Sequence, residues 1–386
     1  MDRNADYFRE LGAQTRALLP ECIELRRSLH MNPELSLSEE KTAAALSSFL
    51  KKYGLSPVSY DFPSVVCDTG PEPAIALRAD MDALPVREDS EETFSSVNEE
   101  VMHACGHDAH SAILAGAGAL IGTRGEAKVR LIFQPAEEVG KGARMMIEAG
   151  ALNGISRIFG LHVWPSLDTG SVAILDGPAM AALDAFSIEI SGGGGHGAYP
   201  HLAKDTILAS SSIVTEANWL VSRIIDPVQS AVLSFGSIHG GSAANVIPSD
   251  VKMQGTIRTF SGDVRDRLMD GLQRVCDRAA GLFGVGVAIK WRHGSPPVVN
   301  DSSFAGNCRT VASAFMKSVD CNRTMGSEDF SFYLEKVKGS FAFLGTGSDE
   351  RTRASKHSNK FRLDEEAIYY GIMLEVAIAE SASKWY

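Results

Sequence analysis

AIALRAD (residues 74–80), KVRLIFQPAEE (128–138) and RIFGLHV (157–163) are short apolar runs rich in β-formers, and each leads into side chains that ligate metals or move protons. Runs of this length without alternation read as strands buried on both faces. Between the first two lies the Ala/Gly/Leu-rich stretch Ala112–Ile121, and between the last two lies Gly142–Ala149, both readable as helices. Strands alternating with helices predict a mostly parallel α/β sheet covered on both faces. In such sheets functional groups gather just beyond the carboxyl ends of the strands. Here those ends carry Asp80 and Asp82, Glu137 and Glu138, and His162, so one shared site is expected.

Working outward, helical spacing covers about 5–30 and 38–53 on the amino-terminal side, and a last amphipathic helix covers about 364–383. The texture changes after residue 182. LDAFSIEI alternates, glycines fill 192–195, and 205–223 reads as an amphipathic helix. Alternating segments near 230–238 and 250–259, a helix near 262–283 and a strand near 286–292 complete two strand–helix–strand units. That pattern predicts an α+β domain with an antiparallel sheet, residues 183–293, inserted into a domain made of 1–182 and 294–386. No repeat at solenoid period and no low-complexity linker interrupts the chain.

The 386 residues include 37 Lys+Arg against 48 Asp+Glu, a formal charge of −11, with 44% apolar and 22% charged residues. Such a chain can bury a sizeable core, and its acidic balance argues against nucleic acid as a partner. The opening MDRNADYFRELGAQTRALL lacks the apolar stretch of a signal peptide, and no long uncharged apolar run suits a membrane span, so a cytoplasmic location is expected. Six cysteines at irregular spacing do not resemble a disulfide framework.

MHACGHDAH (102–110) places three histidines, a cysteine and an aspartate within nine residues. An isolated Cys-Gly-His is usually a plain turn, but this density points to zinc-like ions, for which thiolate and imidazole are suitable donors. Adjacent glutamates are usually solvated surface. Glu137 and Glu138, however, follow an apolar run that Pro135 ends, which places them at the rim of the sheet. Two carboxylates at a metal site can divide the work, one as ligand and one as proton carrier, which is a hydrolase arrangement. Two other readings remain open at this point. Cys105 and His107 could be the nucleophile and base of a thiol hydrolase, and the cluster could belong to a metal-stabilised binding protein without catalysis.

The ordered succession RADMDALP (78–85), HACGHDAH, QPAEE, GLHVWP, GGGGHGAYPH (192–201), GSIHGGSAANVIP (236–248), GTIRTF (255–260), PPVVND (296–301), GSEDFSFY (326–333) and KHSNKF (356–361) resembles the amidohydrolase branch of the aminoacylase/carboxypeptidase metallohydrolases, a metallopeptidase-like family. That branch includes hippurate hydrolase, N-acetyl-diaminopimelate deacetylase, N-acyl-amino-acid amidohydrolases and hydrolases of auxin conjugates. The match spans roughly residues 25–375. It implies a two-domain α/β protein: a mostly parallel catalytic domain of phosphorylase/hydrolase-like type, with an inserted lid and dimerisation domain built on a ferredoxin-like antiparallel sheet.

The resemblance also implies a ligand set for two divalent metal ions per subunit, zinc or manganese with cobalt or nickel as further options: Cys105, His107, Glu138, His162 and His357. Glu137 is implied as the general base that activates a water and later protonates the leaving amine, and Asp82 as the carboxylate that orients a ligand. His196, Asn245 and Arg258 are implied to come over the site, His196 from its own or a partner subunit. Ser327, Glu328 and Asp329 are implied to position a loop beside the metals. The implied substrate is a small N-acyl amino acid, the implied assembly a homodimer. A metallo-dipeptidase or aminopeptidase of the same fold is the neighbouring possibility. Two departures bear on the pocket wall: Asp205-Thr206-Ile207 stands where the family has Asp-Pro-Ile, and Lys356-His357-Ser358-Asn359 where it has Leu-His-Xaa-Pro.

Overall fold

The three apolar runs become neighbouring parallel strands. In the computed structural model, which describes residues 3–382, Ile75–Asp80 pairs in parallel with Val129–Gln134 on one side and Arg157–Asp168 on the other. Arg157–Asp168 in turn pairs in parallel with Lys338–Gly347. Among the described residues these belong to a seven-stranded sheet in the order Val65–Asp68, Val129–Gln134, Ile75–Asp80, Arg157–Asp168, Lys338–Gly347, Ser171–Ala173, Lys317–Ser318. Two members run against their neighbours: Val65–Asp68 against Val129–Gln134, and Ser171–Ala173 against Lys338–Gly347. At the Val65–Asp68 edge the Asp68 carboxylate takes both Nε and an NH2 of Arg130 at 2.7 and 2.8 Å. Charge at an edge strand discourages pairing with another chain.

Register decides where the chemistry collects. Asp80 pairs with Gln134 and Arg78 with Gly160, so the carboxyl ends of three central strands stand side by side. Phe133, Phe159, Phe341 and Phe343 are fully buried on these strands, each worth about 1.5–3 kcal/mol relative to exposure. The helix His107–Arg124 lies against them with every residue from His107 to Ile121 buried. Its small residues permit that depth; a Cβ on Gly118 would stand 2.3 Å from Leu131 Cδ1.

The chain divides into two compact units. One takes the chain up to Ala179, Val299–Asn322 and the chain from Asp329 onward; the other takes Met180–Val298 and Arg323–Glu328. The short segment joins the second unit because Ala181 N–H donates to both Thr324 O and Gly326 O, at 3.1 and 2.9 Å. Nothing in the linear pattern marks it. Within the second unit four antiparallel strands stand in the order Gly286–His293, Ala182–Ser191, Asp250–Thr259, Ala231–Gly240. Ile188, Ile190, Val251, Met253 and Ile257 from the strands bury against Ile213 of the helix Thr206–Trp219 and Leu268 and Leu272 of the helix Gly262–Phe283. Asp205 caps the first of these helices through Leu208 N–H at 2.9 Å. Among the described residues no helix is long and apolar enough to cross a membrane.

The long first helix, Arg3–Met31, is tied to the site-bearing helix by a buried ion pair. Arg26 Nε donates to Asp108 Oδ2 at 2.7 Å, and His30 Nδ1 meets the same oxygen at 2.9 Å. Burial alone would raise the Asp108 carboxyl, but Arg26 and His30 hold it far below the ordinary carboxylate range. A depressed folded value gives stability that is full above the unfolded value near 3.9 and is lost as pH falls toward the folded one. Arg26→Met, which strands the carboxylate, is expected to cost about 3–5 kcal/mol. Melting temperatures should show this deficit undiminished from neutral pH down to about 5 and shrinking below about pH 4.

Candidate metal centre

Gly106 makes the first part of the site possible. It adopts φ +89, and a Cβ there would stand 2.4 Å from Val163 Cγ2. Only glycine fits both the left-handed turn and the close approach. The turn carries Cys105 on one side and starts the helix with His107 on the other. The strand end at Gln134 delivers Glu137 and Glu138, and His162 projects from within Arg157–Asp168. His357 arrives on a loop at φ +64, its N–H donating to Ala104 O at 2.7 Å.

His107 and His162 are each oriented through one nitrogen, leaving the other turned to the cluster. His107 Nδ1 donates to the Asp82 carbonyl at 2.9 Å and lies 3.1 Å from Asp82 Oδ1. His162 Nδ1 donates to Val163 O at 2.7 Å, with Nε2 3.4 Å from Cys105 Sγ. His357 Nε2 lies 3.4 Å and His107 Nε2 3.8 Å from Glu138 Oε1. Two ligands of one small cation, with bonds near 2.1 Å, stand about 3.4 Å apart in tetrahedral geometry.

The donor set therefore suits metal ions. Cys105 groups with His107 and His162, and again with Glu138 and His357, the ligand atoms of each group lying within 4.8 Å of one another. His107, Glu137 and Glu138 form a further group of the same size. His107 Nε2 and Glu138 Oε1 are buried yet make no hydrogen bond, a cost a cation would offset. The charges agree. Burial opposes an imidazolium at His107, but Asp80 and Cys105 pull its proton affinity well above the ordinary value. Contact with Cys105 and Glu138 pushes His357 up to about 10. A field that draws protons onto two histidines also draws a divalent cation.

Asp82 meets several groups at once. Besides His107, it accepts Ser36 Oγ–H at 2.6 Å and Glu138 N–H at 3.0 Å, both on Oδ2. Asp80 serves a different histidine: its Oδ1 takes His110 Nδ1–H at 2.6 Å while His110 Nε2 accepts Val163 N–H at 2.9 Å. Both ring nitrogens of His110 are thereby used, which sets it apart from the ligand types beside it. Arg78 binds Gln134, Asp80 and Asp329 at 2.9, 2.7 and 2.9 Å. Asp329 also accepts Ala143 N–H at 3.0 Å, and its own N–H reaches Glu137 Oε1 at 3.4 Å.

Of the expected site residues, Cys105, His107, Glu137, Glu138, His162, His357 and Asp82 come together in the first unit. His196, Asn245 and Arg258 lie in the second. There His196 pairs with Val246 in a two-stranded ribbon, and Gly197 N–H donates to Asn245 O at 2.8 Å, so these two adjoin. Arg258 stands on the four-stranded sheet and donates to Met325 O at 2.8 Å. Ser36, Arg78, Gln134 and His110 had no assigned role in the sequence. Arg78 carried one signal, a charge inside an otherwise apolar strand, which requires a buried partner.

Residues 76–381 match the profile of Peptidase family M20/M25/M40. The chain is 41% identical over 355 residues to N-acetyl-L-cysteine deacetylase of Bacillus subtilis (strain 168), covering 90% of this chain and 84% of that one. It is 39% identical over 374 residues to IAA-amino acid hydrolase ILR1-like 4 of Arabidopsis thaliana, covering 92% and 84%. The crystal structure of the Bacillus subtilis YXEP protein, described as a dinuclear metal binding peptidase from the M20 family, superposes with a TM-score of 0.86 at 34% identity, covering 96% of this chain and all of that one. Profile, relatives and donor set agree that the chain belongs to Peptidase family M20/M25/M40, as a metal-dependent hydrolase of its amidohydrolase branch.

Proposed function

We propose that this chain is a two-metal deacylase that hydrolyses N-acyl amino acids to a carboxylic acid and a free amino acid. The observation that carries the reading is the sharing of Cys105 between the His107/His162 group and the Glu138/His357 group, with Glu137 alongside as a second carboxylate. A thiol hydrolase needs only Cys105 and one imidazole, and leaves Glu138 and His357 in the same cluster without a task. In the proposed assignment Cys105, His107, Glu138, His162 and His357 hold two divalent ions, zinc or manganese, with cobalt or nickel also suited to the donors. When bound, the ions supply Lewis-acid polarisation and acidify water.

Glu137 takes one proton from the attacking water as its oxygen adds to the acyl carbon. The same carboxyl then delivers that proton to the amide nitrogen as the C–N bond breaks. Asp82 keeps His107 in the tautomer whose Nε2 carries a lone pair. His196 donates to the developing oxyanion, and Asn245 with Arg258 holds the substrate carboxylate, an arginine fork being matched to that group. We assign catalysis to the domain of residues 1–182 and 294–386, and the lid and dimer contact to 183–293, in a cytoplasmic homodimer. The relatives named as an N-acetyl-L-cysteine deacetylase and an IAA-amino acid hydrolase support an acyl group on a free amino acid as the substrate class.

Three outcomes are expected. Glu137→Gln should lower kcat roughly a hundred- to ten-thousandfold while metal content, measured by plasma emission, stays at two ions per chain. Adding zinc or manganese to chelated protein should raise its melting temperature, by about 4 kcal/mol of stability at a thousand times Kd, and Cys105→Ala should lose most of that gain. N-Acetyl, benzoyl and aryl-acetyl amino acids should be cleaved in preference to free dipeptides. The opposite preference would assign the chain to the dipeptidase or aminopeptidase activity of the same fold.

A further inference from the structure

The turn that carries Glu137 is held by bonds of two origins. Within the turn, Ala136 O accepts from Lys141 and Gly142 N–H at 3.2 and 3.1 Å, and Glu137 O accepts from Gly140 N–H at 2.7 Å. Glu138 N–H is taken by Asp82, already part of the site. Ala136 N–H is different. It donates to Glu39 Oε1 at 2.8 Å, a side chain 97 residues earlier, and both residues are fully buried. Ala136 also adopts φ +55, a region that residues with a Cβ occupy only when their surroundings impose it.

Glu39 does not serve as a helix cap in this arrangement. It occupies the N-cap position of the helix Glu40–Lys52, yet its side chain makes no cap bond. Its second oxygen is buried without a hydrogen bond, and burial pushes the carboxyl up to about 7. A solvent-facing carboxylate or a serine at this position would serve the helix better. Its neighbourhood serves the site as a whole: Ser36, three residues earlier, holds Asp82, and Glu34 O accepts Ala83 N–H at 2.8 Å.

We infer that Glu39 is a positioning residue for the reaction: its carboxyl oxygen locks the Ala136 peptide in the left-handed conformation that aims Glu137, the next residue, at the reacting atoms. This rests on the reading of Glu137 as the proton carrier. Without the acceptor, Ala136 N–H is left buried and unpaired and the turn relaxes. The Cα–Cβ direction of Glu137 then changes, while the ligands on the helix His107–Arg124 and on the strand Arg157–Asp168 stay in place.

The test compares the full-length metal-loaded enzyme with Glu39→Ala and Glu39→Gln by kinetics, metal content and amide exchange of residues 136–138. Glu39→Ala should lower kcat roughly ten- to a hundredfold, with KM within about twofold, unchanged metal content and faster exchange at Ala136. Glu39→Gln, whose amide oxygen accepts the same bond, should restore both kcat and protection. The inference is overturned if Glu39→Ala keeps its kcat, if Glu39→Gln is as impaired as Glu39→Ala, or if the fall follows loss of metal. Should the wild type cleave no N-acyl amino acid, the proposed function fails and exchange alone decides. Protection lost in Glu39→Ala and kept in Glu39→Gln would retain the lock, and equal protection in all three would remove it.

Discussion

Crowding of lone pairs is the constraint from which the unit bearing the donor cluster is built. A thiol, three imidazoles and two carboxylates direct ligand atoms into overlapping groups less than 5 Å across. Unaided, such groups repel one another or turn away toward water. The imidazoles stay because the ring or its loop is held from behind. Asp82 fixes His107, Val163 O fixes His162, and the Ala104 carbonyl fixes the loop of His357. Further carboxylates lie buried beside the cluster, and a buried charge needs a partner of its own. Arg78 provides one for Asp80 and Asp329, with no part of its side chain reaching solvent. Two tiers of polar contacts therefore separate the ligand atoms from the apolar core, and the inner tier bears the electrostatic cost.

Parallel topology is what makes this arrangement compact. The register that sets Asp80 beside Gln134 and Arg78 beside Gly160 delivers carboxylates and an imidazole to one end of the sheet without a long loop. Strands hold side-chain origins more firmly than loops do, and ligand positions tolerate little error. Gly106 adds the remaining direction, turning the chain sharply enough that Cys105 and His107, two residues apart, face the same cluster.

The legible parts of the site are those in which residue type and strand position coincide. Glutamates, a histidine and aspartates directly after apolar runs stand out because few fates other than a site await them there. The supporting tier was not legible for the opposite reason. Ser36, Glu39 and their neighbours in PELSLSEEKT read as an ordinary polar loop and helix start, and only the bonds to Asp82 and to Ala136 N–H reveal that the Ser36 hydroxyl and the Glu39 carboxyl point inward. His107 and His110 show the limit most clearly. They sit one helical turn apart in one motif, and their different duties follow from which backbone or carboxylate group meets each second nitrogen. The segment Arg323–Glu328 joins the second unit through backbone bonds to Ala181, which side-chain patterning does not encode.

The net charge of −11 acquires a sharper meaning beside this site. The proposed substrate is an anion, and the average field of the chain opposes its approach. The donor set opposes it too, since Cys105, Glu137, Glu138, Asp80 and Asp82 all contribute negative charge when ionised. Lys356, whose ammonium lies 3.7 Å from the centre of the Trp164 ring and whose charge helps to lower the proton affinity of the buried His162, joins Arg78, paired with Asp80, as an opposing cation in the same unit. Two such cations do not balance five acidic groups. On the proposed assignment, attraction of an anionic substrate would draw on the divalent ions the donors would hold and on Arg258, so metal loading and substrate affinity would be coupled through charge before any bond is broken. Ionic strength weakens that coupling least where the charges are most buried, which is where this fold has placed them.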